Sequence, residues 1–222
     1  MRPARALAPL VGLLLVAAFP GAAGAGTRAA SNQAIFSAGL IAAGDVPAGW
    51  TPSKQSDNAL KDYRGIPDCK QFVAAAEAIR KGAARKLSPS FTDDTSPHQL
   101  AMAQDTVFAF KSTSAASKAF KALKAAPAGN CLAKVAVKAV PGQSRSSVTD
   151  LSSQVQGAGD DSFAYEITLH AADQSGPITA VFDVVGVRVG RVVVNVDFGN
   201  QDTTLPQARA ILNAVVNRLV SA

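Results

Sequence analysis

The chain has 222 residues, with 22 Lys and Arg against 16 Asp and Glu and a formal net charge of +6. Its basic residues are scattered, with loose concentrations only over 80–86 and 111–138. That spread argues against a nucleic-acid binder, which gathers such charge on one stripe beside aromatics, and leaves solubility and attraction to anionic surfaces as the meaning of the charge.

Arg2 and Arg5 precede an unbroken apolar run from Ala6 to Phe19, and Pro20, Gly21 and the Ala23-Gly24-Ala25 triplet close the segment. A charged start, an apolar core and small residues at the two positions read by the peptidase make a secretory signal peptide over residues 1–25. The core is shorter than the roughly twenty residues that span a bilayer, so no stable membrane span is expected after cleavage. Loss of Arg2 and Arg5 lowers the charge to +4. No cysteine follows the apolar core, so lipid attachment has no thiol, and the expected location is secreted or extracytoplasmic. Residues 26–33 are small and polar and are expected to form a disordered lead. Residues 34–222 fit one domain able to bury a sizeable core.

Within that domain, Ile35, Phe36, Leu40 and Ile41 predict one or two helical turns ended by Gly44. Trp50, after the turn 45–49, is expected to anchor the core. Cys69, Phe72, Val73, Ala76 and Ile79 recur at helical spacing over 68–81, with Pro67 and Asp68 at the start and Gly82 at the end. Met102 to Lys111 alternates as a strand does. A second helix is expected from about Ser114, with Ala116, Ala119, Phe120 and Leu123 inward, and it ends before Pro127. The stretch 143–159 reads as a flexible loop or an irregular edge strand.

Further on, Phe163, Tyr165, Ile167 and Leu169 share one strand face, while Glu166, Thr168 and His170 share a wet one. Ile178 to Val189 and Arg191 to Phe198 predict a central hairpin turning at Val189-Gly190, with valines at both parities and therefore both faces covered. Thr203 or Thr204 caps a final helix, in which Ala208, Ile211, Leu212, Val215, Val216 and Leu219 form an apolar stripe. This helix is expected to lie on the sheet made by 163–169 and 178–198. Adjacent strands with helices before and after them specify an α+β fold with an antiparallel sheet.

Two cysteines, Cys69 and Cys131, remain in the mature chain. In an oxidising compartment they are expected to pair as a structural disulfide, the alternative being two buried thiols. The catalytic inventory is thin. Neither His98 nor His170 lies in a metal-ligand spacing, no Gly-x-Ser-x-Gly elbow occurs, and no phosphate-cradling glycine loop precedes a helix. Asp93-Asp94 and Asp160-Asp161 read as turn and cap chemistry, since adjacent side chains on extended backbone diverge; a calcium ion held by Asp160-Asp161 with loop carbonyls is the minor alternative, without the spaced acids of an EF-hand. Arg188 and Arg191 beside Asp183 and Asp197 read as surface cross-strand pairs, with an anion site as the sharper alternative. No catalytic, cofactor or metal residue is assigned, and no ligand-binding residue can be named.

The run Leu40 to Trp50, Val107-Phe108 before Ser112, the helix with Ala119-Phe120 and Leu123, and Gly159-Asp160-Asp161-Ser162 with Ala164-Tyr165 carry a resemblance. Val184-Val185 to Arg188, Gly190-Arg191 and the C-terminal helix extend it over most of the mature chain. These motifs resemble the actinobacterial extracellular sensor-like domains related to the sensor of the mycobacterial PknH kinase. The resemblance implies an antiparallel sheet with helices against it, disulfides, and a cleft for an unknown ligand. This chain departs from the pattern with one potential disulfide where related domains often have two, and with no kinase or membrane segment.

The reading that follows is a secreted, non-enzymatic ligand-binding or sensor-like domain of the cell envelope, partnered by an unknown small molecule or envelope component. A structural or protein-interaction module is the alternative. A hydrolase assembled from Asp160, Asp183 and His170 ranks last. A closed apolar pocket distinguishes the first reading, and a flat exposed apolar patch the second.

Overall fold

The computed structural model describes residues 30–55, 60–93, 101–139, 145–173, 176–200 and 205–222. The expected leader, His98, Asp94 and the caps Thr203 and Thr204 lie outside them. Helix α1 (Asn32–Gly39) starts at Ser31, whose hydroxyl accepts the Ala34 N–H at 3.2 Å; the last two residues of the expected lead, Asn32 and Gln33, thus belong to a helix. Next come β1 (Thr51–Ser53), a 3-10 turn at Pro67–Cys69, α2 (Lys70–Gly82), β2 (Ala83–Leu87), β3 (Ser90–Thr92) and β4 (Met102–Phe110). Then α3 (Thr113–Ala125), α4 (Ala128–Ala139), β5 (Arg145–Asp150), β6 (Asp161–Asp173), β7 (Gly176–Val189), β8 (Val192–Asn200) and α5 (Leu205–Ser221) complete the chain.

The strands form one antiparallel sheet in the order β1-β3-β4-β8-β7-β6-β5, and β2 also pairs with β4. The fold is α+β. β2 and β3 share one edge of β4: Leu87 faces Thr106 and Phe91 faces Ala103, so four steps on one strand match three on the other. One extra residue in a ladder is a β-bulge, and it falls at Ser88-Pro89, where proline has no N–H to give. Ser88 closes the gap, its Oγ accepting the Asp105 N–H at 2.9 Å and its N–H donating to the Asp105 carbonyl at 3.1 Å.

Both sheet faces are covered. On one, α1 and α5 pack over Ala103, Val107, Val185, Val187, Val194 and Val196. On the other, α2 and α3 pack over Phe108, Phe110, Phe163 and Val193 through Ile79, Ala116, Phe120 and Leu123, with α4 over Ile167 beside them. The stripe of α5 is as expected, with Ile211, Leu212, Val215, Val216 and Leu219 buried. As expected it lies on the sheet made by 163–169 and 178–198, seated on the face opposite Phe163 and Ile167, with Ala164 as the β6 residue in its core cluster. The face expected to be wet along β6 is therefore covered at its start, and among the described residues His170 is the exposed one there, with Nδ1 3.1 Å from Thr179 Oγ1.

The stretch 143–159, read as a flexible loop or an irregular edge strand, contains the edge strand β5 beside β6, followed by a 3-10 turn at Ser152–Val155. Other differences have local causes. The hairpin turns at Gly190-Arg191, with Gly190 at φ 55°, a conformation that suits a residue without Cβ. Helix α4, which begins at Ala128 directly after Pro127, has no counterpart among the expected elements. Cys131 lies in its first turns and bonds Cys69 across a Cα separation of 4.7 Å, so the disulfide ties the entry of α2 to the entry of α4. Trp50 packs against the core beneath α1 and α5.

Candidate functional site

Beneath α2, the sheet and its helices do not close completely. They leave a cavity of about 130 Å3 that opens to the surface. Its floor is the odd-numbered face of β8, which runs Val193, Asn195, Asp197, together with Thr106 and Phe108 of β4 and Val184 of β7. α2 provides the roof through Phe72, Ala76 and Ile79. Tyr63, whose ring lies 5.6 Å from that of Phe72, closes one side. Gly186 also lines the space. It stands directly opposite Phe163 in the β6–β7 ladder, and a Cβ there would lie 2.3 Å from the Phe163 ring; the missing side chain is what lets that ring lie over the strand.

One end of the floor is polar. The ladder sets Thr106 opposite Asn195 and Gln104 opposite Asp197. Asn195 Nδ2 donates to Asp197 Oδ1 at 3.0 Å and Gln104 Nε2 approaches Oδ2 at 3.5 Å. Among the described residues no cation pairs with this carboxylate. Burial pushes it up to about 6, against the lowering effect of the two amides. The Tyr63 hydroxyl is pushed well above its usual range by burial, and then by the negative charge of Asp197 and Asp62. The other end is basic. Arg80 and Arg85 line the cavity and also an open groove with Arg64, Glu77 and Lys81, which places them on its rim.

On the opposite face of β4, Asp105 is fully buried. Its Oδ1 accepts the Ile41 N–H at 3.0 Å, and its Oδ2 has no hydrogen-bond partner among the described residues. Burial pushes this carboxyl up to about 7, reinforced by the Asp197 charge and opposed by the Ile41 amide, Ser88 and Arg218. Arg218 of α5 clamps the segment after α1. It makes two bonds to the Asp45 carboxylate at 2.6 and 2.9 Å and donates to the Ala38 and Leu40 carbonyls.

No family model matches this sequence, and no curated protein matches it. Among solved structures, the crystal structure of the extracellular domain of PknH from Mycobacterium tuberculosis aligns with a TM-score of 0.46 at 12% identity, over 87% of this chain and 93% of that one.

The residues singled out in the sequence are separated by the fold. Asp160 accepts from Arg188 Nη1 at 2.8 Å and from the Gly190 N–H at 2.7 Å, at the hairpin end of the sheet. Asp161 pairs with Lys124 at 2.8 Å. His170 lies farther along β6, and Asp183 is buried on the α5 face of β7 opposite Phe198. Nine residues of strand, roughly 30 Å at about 3.3 Å each, separate Asp161 from His170, so the hydrolase constellation of Asp160, Asp183 and His170 does not assemble.

The expected surface pairing of Arg188 and Arg191 with Asp183 and Asp197 is also overturned. Arg188 takes Asp160, and Arg191 donates to the Phe110 and Ala30 carbonyls and to Asn32 Oδ1. Meanwhile Asp183 turns to the α5 core and Asp197 to the cavity. Asn195 is a site residue that sequence reasoning did not single out, and Asp197 is one that it placed in a surface pair instead of a cavity. The available signal was their shared parity with Val193 inside an otherwise valine-rich strand.

Proposed function

We propose that this chain acts outside the cytoplasmic membrane as a non-catalytic domain that binds a small molecule in the cavity beneath α2. The observation that carries this reading is the apolar cavity with a carboxylate at one end that no described cation neutralises. Asp197 is half-buried there without a counter-charge, which is unfavourable, and a ligand offering a donor lessens that penalty. The signal-peptide pattern and the Cys69–Cys131 disulfide support the location. Size limits the ligand. Drug-like sites run to about 300–1,000 Å3, whereas an engineered cavity of about 150 Å3 holds benzene. The enclosed, apolar part of the occupant is therefore close to benzene in bulk. The interaction-module reading has less support, because among the described residues Val220 is the large apolar side chain that stands exposed, and it forms no patch.

Native mass spectrometry of protein recovered from its secreting host tests the proposal. A retained small molecule is expected on the natural chain and absent from Ala76→Phe, which fills the space under the roof. A small molecule retained equally by both, or no stabilisation of the natural chain by toluene as a cavity probe, would overturn it.

A further inference from the structure

Resting on the cavity as the ligand site, we infer that its ligand is a small linear zwitterion, with an ammonium at one end, a carboxylate at the other and an apolar body between them. The order of groups along the cavity carries the inference. Following β8 backwards from Asp197, the wall offers an acid, then the amide of Asn195, then Val193. Val193 stands opposite Phe108, and Phe108 stands opposite Arg85. Acid, amide, apolar surface and guanidinium thus succeed one another across three strands, while Ile79 and Ala76 on α2 keep the roof of the middle apolar and Arg80 adds a second cation at the rim. The backbones of Asp197 and Arg85 are roughly 16 Å apart, given about 3.3 Å per residue along a strand and about 4.8 Å between strands. Each side chain spans part of that gap, and the remainder is apolar wall.

A plain amine would meet Asp197 but bring a cation past two arginines. A plain carboxylic acid would meet the arginines but drive its tail, or its charge, towards an acid that cannot accept either. A molecule charged at both ends satisfies both, and an apolar spacer between its charges covers Val193 and Phe108. An α-amino acid has its two charges on one carbon and its apolar part to the side, which does not follow the order of the wall. Arginine presents five donors in a planar fork suited to carboxylate, so a contact within the chain does not exhaust it.

Calorimetric titration with 6-aminohexanoate, hexylamine, hexanoate and 2-aminohexanoate tests this, with toluene as a probe of the cavity alone. The terminal amino acid is expected to bind at least tenfold tighter than each of the other three. Asp197→Asn should reduce it to the level of hexanoate, and Arg85→Gln or Arg80→Gln to the level of hexylamine, with melting curves showing that the variants fold. Equal binding of hexylamine would overturn the part given to the rim, and equal binding of the isomeric 2-aminohexanoate would overturn the linear order. Binding of toluene without any of the charged probes would reject the ligand class while the cavity reading stands. Failure of toluene and of all four would reject the cavity reading itself.

Discussion

Asp105 and Asp197 lie one residue out of register on adjacent strands, on opposite faces of the sheet, and both are held above the ordinary carboxylate range, at about 7 and about 6. In the unfolded chain each returns to roughly 3.9. Between those limits the folded protein binds more protons than the unfolded one, so the stability these groups contribute is complete below about pH 4 and is lost as pH rises through 6 and 7. Urea unfolding at pH 5 and pH 8 is expected to show the protein more stable at pH 5, and Asp105→Asn with Asp197→Asn should flatten the difference. Asp45 and Asp161 do not disturb the comparison. Burial opposes ionisation of both, but Arg218 and Lys124 outweigh it and hold them below their ordinary range, so both stay ionised across the window. Gly186 gives a test at the same scale. Gly186→Ala drives a Cβ into the Phe163 ring and should destabilise the protein by about 1–3 kcal/mol, read from the same urea curves.

At the level of elements, what could be read from sequence depended on length and on who supplies the partner. α5 and α3 were legible because their apolar positions repeat over several turns and each buries one face, as Leu212 and Phe120 show. Leu212→Ala should destabilise by about 2–5 kcal/mol through the cavity it leaves. Asn213→Ala, on the exposed side of the same helix, should change stability by less than about 0.5 kcal/mol. β1, β2 and β3 were not legible. They are short, they contain Pro52, Arg85 and Lys86, and they exist because a partner edge is there to pair with, that of β4 for β2 and β3 and that of β3 for β1. The cavity floor was hidden for a related reason. Thr106 and Asn195 form one rung although 89 positions separate them, and no local pattern announces such a pairing.

At the level of the molecule, the disulfide joins two parts of the layer over the cavity, since Cys69 precedes α2 and Cys131 lies near the start of α4. Closing a loop of 62 residues stabilises the fold by at most about 4 kcal/mol on the chain-entropy estimate. Reduction should lower the melting temperature while leaving most secondary structure in place, which circular dichroism during a thermal scan would show. N-terminal sequencing of secreted material should begin near Gly26, and a product that keeps Leu13 to Leu15 and stays in membranes would replace the cleaved leader with an anchor.

The contact between the two ends of the chain bears on the order of events. α1 packs against α5 as well as against β4, and the segment that follows it is gripped by Arg218, more than 170 positions downstream. A polypeptide delivered N-terminus first has α1 early and α5 last, so the first helix, although it can settle on β4, lacks its helical partner until the final turn arrives. Non-local closure of this kind is slow to nucleate. A chain delivered from its N-terminus is therefore still open along one side until α5 arrives, and the native layer over that sheet face is the last to assemble.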